Sequence, residues 1–92
     1  MFLQGNLQLV FDALYTVGAI DPVLNTDWNQ ITSAMENDME TVYQTFRRIN
    51  SCSGNYEKIV SEMKNMDEKS LQYLAMEVAR EFCEFQDRTS LQ

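Results

Sequence analysis

Residues 28–49, WNQITSAMENDMETVYQTFRRI, decide the fold. Trp28, Ile31, Met35, Met39, Val42, Phe46 and Ile49 follow one another at intervals of 3, 4, 4, 3, 4 and 3. At roughly 100° per residue these side chains fall on one narrow face, which is the signature of an amphipathic helix. Glu36, Asn37, Asp38, Glu40, Gln44, Arg47 and Arg48 lie off that face and belong in water. The pattern predicts one helix over 27–50, about 33 Å of it carrying the seam at about 1.5 Å per residue. A seam of that length needs a surface to cover it, and the flanking segments must supply one.

Upstream, Leu3, Leu7, Val10, Leu14 and Val17 repeat at 4, 3, 4 and 3, which predicts a helix over 2–17. Phe11 and Tyr15 widen one flank of this seam, and Phe2, Leu9 and Ala13 widen the other. Mainly Gln8, Asp12 and Thr16 remain for water, so the helix is more apolar than a surface helix needs to be. It is expected either between the other helices or under a partner protein. Gly5 weakens its first turn, which places the effective start near Asn6. Gly18 ends the periodicity as a residue that tolerates the left-handed conformation after a helix. Asp21 before Pro22 suggests a capped extra turn over 22–25, and Asn25, Thr26 or Asp27 then caps the long helix.

Downstream, Asn-Ser-Cys-Ser-Gly-Asn at 50–55 is the clearest break in the chain. Cys52 in that loop is expected to be exposed and, with no histidine anywhere to activate it, inert. Tyr56, Ile59, Val60 and Met63 define a short amphipathic helix over 55–64, with Lys58 and Glu62 placed to pair at i, i+4. Asp67 is placed to cap a last helix over 68–87, with Glu68 in its first turn. Leu71, Leu74, Ala75, Val78, Ala79, Phe82 and Phe85 form the seam of that helix. Glu77, Arg80, Glu81, Glu84 and Arg88 line the other side, offering Arg80–Glu84 and Glu84–Arg88 pairs. Tyr73 and Met76 fall on the charged side, out of place for apolar residues, and 89–92 reads as a frayed tail. The architecture expected is all-α, a single domain over 1–92 built as a small bundle of four main helices.

The totals agree. Three glycines and one proline leave little of the turn chemistry a many-stranded sheet needs. Fourteen acidic against seven basic residues give a net charge of −7, which repels a phosphate backbone, so direct nucleic-acid binding is not expected. The same charge suits a basic protein partner, and it also serves solubility. The absence of histidine removes His-based acid–base and nucleophile systems, together with the His half of most zinc and di-iron sites. Glu77, Glu81 and Glu84 share a face at metal-binding intervals, but Arg80 among them reads as a solvated, ion-paired surface. No phosphate-cradling or calcium loop occurs. The acidic residues at 77–87 also make a poor recognition helix for a helix-turn-helix reading of 56–85. No catalytic residue, metal or cofactor is expected. No window approaches 18 uninterrupted apolar residues, and 1–20 carries no Lys or Arg, so neither a membrane span nor a secretion signal is expected. A cytoplasmic setting with both cysteines as thiols follows as the expectation.

The function expected from these features is a small, acidic, non-enzymatic protein–protein interaction module, regulatory or adaptor in character. It would dock on another protein or on a second copy of itself through Phe2, Leu9, Tyr73 and Met76. An alternative is an acidic inhibitor that mimics nucleic acid and blocks a basic protein. That reading uses Glu36, Asp38, Glu40 and the 77–87 face with Glu77, Glu81 and Glu84. A third is a structural subunit of a larger assembly.

Overall fold

The computed structural model describes the backbone of residues 4–90 and the surroundings of the side chains of 7–82. Six helices follow in order: α1 (Gln4–Thr16), α2 (Ile20–Leu24), α3 (Trp28–Glu36), α4 (Met39–Asn50), α5 (Tyr56–Lys64) and α6 (Glu68–Ser90). The described residues include no strand. The all-helical expectation therefore holds, while the count of four main helices does not.

The long helix expected over 27–50 is two helices. Asp27 starts α3 by accepting a hydrogen bond from the Asn29 N–H at 3.0 Å, which settles the cap among the three candidates. At the other end Asn37 closes α3, and Asp38 leaves helical geometry at φ −140°, ψ 46°. Two interactions hold Asp38 there. Its Oδ1 accepts from the Thr41 hydroxyl at 2.8 Å, and its Oδ2 lies 2.6 Å from the Lys69 ammonium in the first turn of α6. Asn and Asp readily give up a helix for such local bonds. Through this corner α3 and α4 both pack on α6 as separate rods.

α6, not the 28–49 stretch, is the element that the others surround. It packs against α1, α2, α3 and α4, while α5 closes over α1 and α4. Tyr73, Leu74, Ala75 and Met76 are all buried. Four consecutive residues sweep about 300° of a helical wheel, so this part of α6 is covered on nearly every side. The helix also continues to Ser90, where a frayed tail from 89 was expected.

α1 lies between α5 and α6, with Val10, Ala13 and Leu14 in the core and Phe11 meeting Phe82 edge-on at a ring separation of 4.8 Å. The first of the two expectations for its excess apolar surface is the one realised for these residues. α1 ends in a Schellman turn: Ala19 N–H reaches the Leu14 carbonyl at 2.9 Å and Gly18 N–H the Tyr15 carbonyl at 3.1 Å, with Gly18 left-handed at φ 79°. The loop after α4 turns through Ser53 (φ 55°) and Gly54 (φ 74°). It carries Cys52 inward to 5% exposure, with Sγ 3.5 Å from the Arg48 carbonyl, so the expected exposed cysteine is a core residue. Glu62 likewise pairs with Arg48 of α4 at 2.7 Å, and this cross-helix partner replaces the expected Lys58.

Candidate interaction surface

The residues expected to form a docking patch do not come together as one. Tyr73 and Met76, at 3% and 0% exposure, are core residues, which corrects the reading that set them on a charged outer face. That reading assumed α6 had one covered side, whereas helices stand on nearly every side of this part of it. Leu9 is half-buried and packs against the core, and Phe2 lies outside the described residues.

The acidic candidates divide in the same way. Glu36 and Glu40 are exposed. Asp38 is half-buried in its contact with Lys69, and that ammonium, followed by the Thr41 hydroxyl, holds its carboxyl below the usual aspartate range. The same pairing raises the Lys69 pKa. Glu77 meets Arg80 at 2.7 Å with only 13% of its side chain exposed. Glu81 is half-buried, and the Glu84 side chain lies outside the described residues. Among the described residues no group of three or more His, Cys, Asp or Glu is arranged to hold a metal ion. No described helix is long and apolar enough to cross a membrane.

What the fold leaves uncovered is on α4. Tyr15, Leu24, Met39, Tyr43 and Tyr56 are the large apolar or aromatic side chains exposed among the described residues. Tyr56 is tied by its hydroxyl to Thr16 at 2.6 Å. Tyr15 and Leu24 stand on separate helices, and single exposed hydrophobics are ordinary. Met39 and Tyr43 differ: they are one turn apart on one helix, at 58% and 64% exposure. Met39 also lines a groove of about 180 Å³ with Thr32 and Met35 of α3 and Val42 and Phe46 of α4, closed on the α6 side by Glu77 and Arg80. The floor is apolar and the rim carries both charges. One turn beyond Tyr43, the Arg47 guanidinium lies 6.0 Å from the centre of its ring, a cation–π contact at the limit of range.

This volume is below the roughly 300–1,000 Å³ of a typical small-molecule pocket. A second cavity of about 170 Å³, between the α1–α2 corner and the first turns of α6, is equally small. The arrangement suits the insertion of one or two side chains from a protein surface. Periodicity alone missed it. Met39 sat on the predicted seam, and Tyr43 was an aromatic just off it; the signal available was the Asn37–Asp38 pair immediately before Met39.

Comparison of the chain with protein-family models, with curated proteins and with solved structures finds no match.

Proposed function

We propose that this chain is a small acidic protein–protein interaction module, regulatory or adaptor in character, and that it docks through the Met39–Tyr43 edge of α4. The observation that carries the reading is the adjacency of two large exposed side chains to a groove with an apolar floor and a charged rim. Such a patch costs solvation in the free protein and regains it when a partner covers it. Aromatic and methionine side chains are those enriched at the centres of protein interfaces.

The nucleic-acid-mimic reading has less support. Asp38 and Glu77 each commit charge to a neighbouring cation, so the free acidic positions are more scattered than the sequence suggested.

A photo-crosslinking amino acid placed at Tyr43 in the native host tests the proposal. A discrete adduct is expected, with none from the same probe at the equally exposed Tyr15. No adduct at Tyr43, or the same adducts from both positions, would refute it.

A further inference from the structure

We infer that the partner of the α4 face is a second copy of this chain, paired antiparallel with the first about a two-fold axis near the midpoint of Tyr43 and Gln44. This inference rests on the docking surface proposed above and adds its occupant.

The solvent face of α4 consists of Met39, Glu40, Tyr43, Gln44, Arg47 and Arg48, all exposed. Glu40 and Arg47 are seven residues apart, so they lie within about 20° of each other on the wheel and about 10.5 Å apart along the axis. They occupy the outermost line of the helix, roughly opposite the buried residues Val42, Thr45, Phe46 and Ile49. Laid antiparallel on itself, this face matches its own charges. The two-fold operation brings Glu40 of each copy opposite Arg47 of the other, giving two equivalent ion pairs, with Tyr43 beside Gln44 of the other copy between them. In a parallel alignment like charges would meet.

The helix macrodipole accounts for an acid in the first turn and arginines in the last. It does not account for Tyr43 being left in water between them. Self-pairing accounts for the exposed Tyr43 and the charge order together, because it covers that ring, which lies within about 60° of the Glu40–Arg47 line, and uses the charges to fix the orientation, while Met39 stays at the flank of the pair beside the groove. Arg47 is available for this role, whereas Arg48 is occupied by Glu62 within its own chain. Each copy carries −7, so long-range repulsion opposes the encounter in dilute buffer, and about 0.15 M salt shortens its range to about 8 Å.

Sedimentation equilibrium at about 0.15 M salt tests the pairing with the parent chain, E40R, R47E and an equimolar mixture of the two variants. Both positions are exposed, so the variants are expected to fold. The parent is expected to dimerise. Each variant alone sets two like-charge contacts at the interface and should weaken dimerisation by at least about tenfold. The mixture should recover it as a heterodimer, because every contact is then between opposite charges. A parent that stays monomeric to several hundred micromolar overturns the inference. Dimerisation by the parent and both variants alike overturns the α4 geometry. If the parent is monomeric and the Tyr43 probe still captures a different protein, the inference falls while the proposed function stands.

Discussion

Truncating Met76 to alanine separates two descriptions of the chain, because a docking residue and a core residue respond in opposite ways. Met76 has 0% exposure and sits beside Leu74 and Ala75, which are equally buried. The substitution removes three heavy atoms beyond Cβ. At about 0.8 kcal/mol per buried methylene-sized group this is about 2.4 kcal/mol of lost transfer free energy. Incomplete collapse of the cavity adds to it, within the roughly 2–5 kcal/mol range for Met→Ala in a core. A domain of this length has roughly 5–14 kcal/mol of stability in all, so the change removes a large share. At roughly 4–8 °C per kcal/mol, a loss near 3 kcal/mol lowers Tm by roughly 12–24 °C. Tyr15→Ala, at a residue 67% exposed and outside the proposed docking edge, is the control and should shift stability by no more than about 0.5 kcal/mol. Urea unfolding followed by far-UV circular dichroism, together with thermal melts, gives both quantities. A Met76→Ala protein within about 0.5 kcal/mol of the parent would refute the placement of α6 at the centre.

Gly18→Ala should cost about 1 kcal/mol in the same unfolding assay: a Cβ there meets nothing within 4 Å, so the cost comes from the φ of 79° alone, and a neutral result would refute the Schellman turn. Asp38, beside Lys69 and Thr41, and Asp67, beside the Ser70 hydroxyl, both have folded pKa values below the ordinary one. Their contribution to stability is therefore complete above about pH 4 and is lost as pH falls through the lower folded values, so Asp38→Asn should flatten the acid limb of a plot of denaturation midpoint against pH. Burial raises the Cys52 pKa, so this thiol should react with a disulfide reagent at pH 8 far more slowly in the folded protein than in urea, as peptide mapping of the labelled cysteine would show.

The identity of the helices was legible because the local signals were strong. Gly18 ended α1 with the predicted left-handed turn, and the spacing of Tyr56, Ile59 and Met63 gave α5 with Ile59 and Met63 buried. Asp67 accepts a hydrogen bond from the Ser70 backbone N–H at the start of α6, as expected of a capping residue. Other features were not legible because they depend on contacts distant in sequence. The 3-and-4 rhythm runs through Asn37 and Asp38 without interruption, and the break there is held in part by Lys69, thirty-one residues away from Asp38. The centrality of α6 was half visible: from Leu71 to Ala79 only Gln72 and Glu77 are polar, the same surplus of apolar residues that was noticed in α1. The candidate docking edge was not visible, because Met39 belongs to the apolar seam by spacing and leaves it only when α4 turns away from α3 at Asp38.

The sequence by itself determined that this protein is helical, where most of its helices start and stop, and that it is acidic and without histidine. These are properties of residues within a turn or two of each other and of simple totals, and helix periodicity and capping express them directly. Tertiary structure decided which helix the others surround, that Cys52 and Met76 are core and that Met39 and Tyr43 are surface. A residue's spacing places it on one side of its own helix, but whether that side meets water depends on how many other helices pack there, and only the folded chain fixes that number.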